Sequence, residues 1–114
     1  MGTTDFARYL ANFLTKYLPS ERGASKNTIL AYRDTFIILF HYMEQEKHII
    51  PKKICLSDLN KDNIVDFLRW LETTKGNSVK TRNARLAAIR SFFDYLQYLE
   101  PANVLNAKGL CPFM

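Results

Sequence analysis

Between Ser25 and Lys47 an apolar stripe runs through Ile29, Tyr32, Phe36, Leu39, Phe40 and Met43. That spacing follows the 3.6-residue period of a helix, and a stripe of this kind is buried by packing against other helices. The same rhythm recurs along the chain. Phe6, Tyr9, Leu10, Phe13, Leu14 and Tyr17 predict a first helix from about Asp5 to Leu18, broken at Pro19 and Gly23 in "PSERGAS". Ser25 offers an N-cap for a second helix that runs to about Lys47. "HIIPKKICLSDLN" reads as a connection, interrupted at Pro51, with Ser57 or Asn60 as the next cap. Ile64, Val65, Phe67, Leu68 and Leu71 predict a third helix over about Lys61 to Thr74. Gly76 and Asn77 form a turn, Ser78 caps a fourth helix from Val79 to Leu99, and Pro101 ends it. No strand pattern, repeat or low-complexity tract stands out. The expected fold is all-α, a compact four-helix bundle.

At 114 residues, 47% of them hydrophobic, the chain is long enough to bury a core without metal or disulfide staples. Its longest apolar run, Phe36 to Phe40, is far short of a membrane span, so no membrane partner is expected. The first residues lack the pattern of a signal peptide, and Phe6 stands where a myristoylation signal needs Ser or Thr. Cys55 and Cys111 lie far apart without a CxxC partner and are expected to be reduced. Neither His41 nor His48 has a second ligand at metal spacing, so no metal or other cofactor is expected.

Charge is unevenly placed. Residues 1–72 hold ten basic and nine acidic side chains, whereas residues 73–93 hold five basic and none acidic. In "KGNSVKTRNARLAAIRSFFDYL", residues 75–96, the basic residues gather at a helix start, where the macrodipole favours Asp or Glu. The first helix obeys that preference with Asp5, and the third with Asp58 and Asp62. The second and fourth do not. The second opens with Ser25, Lys26, Asn27 and Thr28 and meets no acid before Asp34. The fourth opens around Lys75, Ser78, Lys80, Thr81 and Arg82 and meets none before Asp94. Exposed N–H groups, a hydroxyl and a cation together suit a phosphate, and two such starts suit a nucleic-acid backbone.

On a helical wheel the fourth helix places Lys80, Asn83, Ala84, Ala87 and Arg90 along one side and Leu86, Ile89, Phe93 and Leu96 along another. Small residues at 84 and 87 leave room for a duplex or another helix to approach. Arg82 and Arg85 fall nearer the apolar side, where they either cap the bundle or pair with acids such as Asp62 or Asp66. No aromatic interrupts the basic stretch from Lys75 to Arg90, which disfavours base stacking on single strands and favours double-stranded DNA. The candidate DNA-binding residues are therefore Ser25, Lys26, Asn27, Thr28 and Arg33 on the second helix, with Lys75, Ser78, Lys80, Thr81, Arg82, Asn83 and Arg90 around the fourth. Whether Asn27, Asn83 or Arg33 read base edges, or only phosphates are held, is open at this level. A helical protein–protein interaction module, whose basic face meets an acidic partner, is the alternative. No nucleophile–base pair, carboxylate dyad or phosphate loop marks an enzyme site.

Two of these segments carry a resemblance. "SKNTILAYRDTFIILFHYM", with Ser25, Thr28 and Ala31-Tyr32-Arg33, resembles the second helix of the N-terminal, SAM-like core-binding domain of tyrosine recombinases, the phage integrases. "NSVKTRNARLAAIRSFFDYLQ", with Thr81-Arg82, Leu86-Ala87-Ala88-Ile89 and Arg90-Ser91-Phe92-Phe93, resembles the fourth helix of that domain, and "LSDLNKDNIVDFLRWL" its linker and third helix. The resemblance implies a SAM-like domain over residues 1–105 that holds duplex DNA with its second and fourth helices, while a separate C-terminal domain cuts. "EPANVLN" resembles the linker toward that domain, with residues 106–114 as its start. None of the family's catalytic Arg, Lys, His-x-x-Arg or Tyr positions is assignable: Glu44 and Pro51 stand three residues after His41 and His48. The chain is therefore expected to be inert alone and monomeric. In a full-length cytoplasmic protein from a bacterium, phage or mobile element, it would meet other recombinase protomers on DNA.

Overall fold

The computed structural model describes residues 5–99. Residues 100–114, with the expected linker, Pro101 and Cys111, lie outside the described residues. Helix α1 spans Asp5–Asn12 and continues without a break into a π-helical segment, Phe13–Glu21. Helix α2 spans Lys26–Lys47, α3 Lys61–Thr73 and α4 Val79–Leu99, with short 3-10 turns at Pro51–Lys53 and Leu56–Asp58. Among the described residues there is no strand, as the periodicity predicts. No helix is long and apolar enough to cross a membrane among these residues.

The chain forms two compact units, divided between Cys55 and Leu56. In the first, the π segment packs against both α1 and α2. Phe6, Phe13, Phe36, Leu39 and Met43 are buried, and Phe6 meets the edge of Phe40 at 5.9 Å between ring centroids. Phe13 stacks on Tyr17 at 6.0 Å and on Tyr32 at 6.3 Å. In the second unit α3 packs against α4. There Ile64, Phe67 and Leu71 of α3 are buried, as are Ile89, Phe92, Phe93 and Leu96 of α4. Of the aromatic residues at core spacing, Phe6, Phe13, Phe36, Phe67, Phe92 and Phe93 are buried, whereas Tyr9, Tyr17, Tyr32 and Phe40 are half-buried.

The end of the first helix differs from expectation. It runs through Pro19 to Glu21 instead of stopping near Leu18. In an α-helix the proline ring would clash with the carbonyl four residues back, and its missing N–H would orphan that carbonyl. The wider π turn, with hydrogen bonds reaching five residues back, changes which carbonyl each residue faces. Arg22 closes the segment by donating its N–H to the Tyr17 carbonyl at 3.1 Å. Of the two caps expected for α3, Asn60 is the one used: its Oδ1 accepts the Asn63 N–H at 2.9 Å.

Candidate nucleic-acid interface

The start of α4, in the second unit, is set by backbone chemistry just before it. Gly76 sits at φ +68, a left-handed conformation that costs glycine little. The reversal brings the Asn77 N–H to the Leu71 carbonyl at 2.9 Å. Ser78 then caps the helix, its Oγ accepting the Thr81 N–H at 3.2 Å. No acid occupies the first turn. Lys80, Asn83, Ala84, Ala87 and Arg90 are all exposed along one side of α4, while Ala88, Ile89, Phe92 and Phe93 are buried. The helical wheel thus divides the helix correctly.

The basic residues here differ in what they touch. Lys80 is exposed and, among the described residues, has no acidic partner. Lys75 places its Nζ 5.3 Å from the Trp70 ring centroid, a cation–π contact that the sequence does not reveal. Arg82 is half-buried. Its Nη1 lies 3.5 Å from Glu72 Oε1 of α3, and its Nη2 donates to Asn83 Oδ1 at 2.9 Å. The acid that pairs with Arg82 is therefore Glu72 rather than Asp62 or Asp66, because Glu72 lies in the last turn of α3 and Asp66 faces Arg69 at 3.7 Å. Arg85 is half-buried as well.

The start of α2, in the first unit, is built the same way. Gly23 sits at φ +60, and the Ala24 N–H reaches the Leu18 carbonyl at 2.8 Å. Ser25 Oγ accepts the Thr28 N–H at 3.1 Å. Lys26, Asn27 and Arg33 are exposed, Thr28 is half-buried, and the first turn again holds no acid. Lys26 and Arg33, like Lys80, have no acidic partner among the described residues.

The likeness is a repeat in the chain. Leu-x4-Gly-x-Ser-x-x-Thr occurs at 18–28 and again at 71–81. Burial keeps the same register along the helices that follow: Phe36 and Ile89, Leu39 and Phe92, Tyr42 and Tyr95, Met43 and Leu96 are buried in pairs. Asn27 and Lys80, Leu30 and Asn83, Ile37 and Arg90 are exposed in pairs. Four matched residues spread over eleven positions are a faint signal, and reading the chain helix by helix passes over it. Also missed are exposed apolar side chains on these helices, among them Leu30 (45% exposed), Ile37 (38%) and Val79 (59%). A search for self-similarity at fixed offset would have aligned them with the polar positions.

Each helix start offers backbone N–H groups, a hydroxyl and exposed cations, a combination suited to phosphate oxygens. Among the described residues no group of three or more His, Cys, Asp or Glu could hold a metal ion. Cys55 is exposed, its Sγ donating to the Lys53 carbonyl at 3.6 Å.

Comparison with known proteins identifies the family. The family described as phage integrase, N-terminal SAM-like domain, matches residues 10–98. An integrase/recombinase of Sinorhizobium fredii, y4rD, is 36% identical over 97 residues, covering 85% of this chain and 34% of the relative. A second from the same organism, y4rC, is 39% identical over 95 residues, covering 83% and 29%. The tyrosine recombinase XerD of Rickettsia bellii is 32% identical over 92 residues, covering 77% and 26%. The chain thus spans about a third or less of the length of these relatives. No solved structure matches significantly.

Proposed function

The chain belongs to the phage integrases, as an N-terminal SAM-like domain, and on that premise we propose that it binds double-stranded DNA through the starts of α2 and α4. In this reading it is the DNA-holding domain of a site-specific tyrosine recombinase that acts with other protomers on DNA, and strand cleavage is carried by other parts of the protein. The observation that carries the proposal is the pair Lys26 and Lys80. Both are exposed beside a serine-capped, acid-free first turn, and neither has an acidic partner among the described residues. A cation there opposes the helix macrodipole, by a few tenths of a kcal/mol or more. A bound phosphate reverses that penalty, since it meets both the N–H groups and the ammonium. The exposed side of α4, with Ala84 and Ala87 between Asn83 and Arg90, admits a duplex backbone closely and offers no aromatic platform for single-stranded bases.

The test is charge reversal read by fluorescence anisotropy on a short labelled duplex at low salt. Lys26→Glu and Lys80→Glu should each weaken binding about tenfold, while Lys16→Glu, an exposed cation on the π segment, should not. Thermal melting should be unchanged in all three. If both helix-start variants bound as tightly as the parent chain, the proposal would fail.

A further inference from the structure

Resting on the DNA-binding reading above, we propose that Arg82 is not itself a DNA ligand but a positioning residue, which fixes the Asn83 carboxamide as a donor toward DNA. Arg82 has the charge and location of a phosphate contact, yet its guanidinium is committed within the protein. Nη1 is 3.5 Å from Glu72 Oε1, with the two side chains only 30% and 36% exposed, and its Nε is buried without a hydrogen-bond partner. Nη2 donates to Asn83 Oδ1 at 2.9 Å.

A guanidinium has only donors, so the carboxamide atom it meets must be the oxygen. That settles which way Asn83 points. Oδ1 faces Arg82, and Nδ2, with two N–H donors, is turned away on an exposed side chain. Asn83 lies on the same exposed side of α4 as Lys80, Ala84 and Ala87. The donor therefore suits an acceptor: a phosphate oxygen, or the guanine O6/N7 or thymine O4 edge in a major groove. Bidentate reading of adenine, which needs the amide oxygen as well, is disfavoured while Arg82 occupies it. Glu72 offsets the Arg82 charge, so Arg82 contributes little to counterion release.

The two roles of Arg82 give different salt dependence and different coupling. Anisotropy titrations on a labelled duplex pool of randomised sequence, over a series of salt concentrations, would compare the parent chain with Arg82→Gln, Arg82→Lys, Asn83→Ala and Arg82→Gln/Asn83→Ala. The expected result is that Arg82→Gln, Arg82→Lys and Asn83→Ala each weaken binding about three- to tenfold. The double variant should be no weaker than Asn83→Ala alone. The slope of log K against log salt should match that of the parent in every case, and lysine should not rescue because it cannot span Glu72 and Asn83 together.

A direct phosphate contact would instead make the slope of Arg82→Gln shallower by about 0.9, with Arg82→Lys near normal and the double variant additive, and that would overturn the proposal. Parent-like binding by Asn83→Ala would overturn it too. If the parent chain bound no duplex at all, the DNA-binding reading itself would fall, and this inference with it. Arg82→Lys keeps the charge and the aliphatic stem, so the comparison survives if Arg82→Gln melts early.

Discussion

Ser78 accepts the backbone N–H of Thr81 through its Oγ at 3.2 Å, and the same hydroxyl lies 3.2 Å from Thr81 Oγ1. Ser25 and Thr28 repeat the arrangement at 3.1 and 3.0 Å. If the two caps hold phosphate as proposed, stability and anion binding meet there, and substitution can separate them. Ser78→Ala or Ser25→Ala should cost about 1 kcal/mol in urea unfolding. Ser78→Asp should retain the cap and favour the helix dipole, leaving stability equal or higher, yet weaken duplex binding by placing a carboxylate at the proposed phosphate position. Urea unfolding and anisotropy on the same variant check both halves.

A second prediction concerns the backbone at the ends of three helical segments. Gly23, His48 and Gly76 occupy left-handed conformations at φ +60, +59 and +68. Each precedes an N–H that reaches back six residues: Ala24 to Leu18, Ile49 to Met43 and Asn77 to Leu71. A Cβ added at Gly23 or Gly76 would meet nothing within 4 Å, so its cost is torsional alone. Gly76→Ala should therefore destabilise by about 1 kcal/mol, with Gly76→Asn milder. His48→Gly should stabilise by about 1 kcal/mol. Opposite signs in denaturant unfolding are the result to look for.

A third prediction tests the core that holds α4 in place. Phe92 is fully buried, with Phe93 and Tyr95 rings each 6.3 Å away between centroids. Phe92→Ala should cost about 3–5 kcal/mol, whereas Ala87→Ser, on the exposed side of the same helix, should change stability by under about 0.5 kcal/mol. A melting series over these two variants distinguishes the faces.

Much of this was legible in the residues. The apolar spacing locates four helices, and the wheel of α4 separates Lys80, Asn83 and Arg90 from Ile89 and Phe93, because burial of one helix face follows from period alone. Three things were not legible. Pro19 reads as a stop, and only the wider turn of a π segment lets the chain continue through it. The partner of Arg82 depends on which turn of α3 lies beside α4, a tertiary fact that places Glu72 nearer than Asp66. The contact of Lys75 with Trp70 depends on how α3 ends, where the Lys75 N–H reaches back to the Trp70 carbonyl at 3.3 Å, a local closure that the residue types do not announce.

If cations at the starts of α2 and α4 neutralise DNA phosphates as proposed, duplex binding must weaken as salt rises. Lys26, Arg33, Lys75, Lys80 and Arg90 are the exposed basic residues on these segments. If each met one phosphate, log K would fall with log salt at a slope of about −4.5, or about −0.9 per contact. The expected slope lies between about −2 and that bound, and is shallower by about 1.8 in the Lys26→Gln/Lys80→Gln variant. A slope unchanged by that double substitution, or no duplex binding even at low salt, would contradict the proposal.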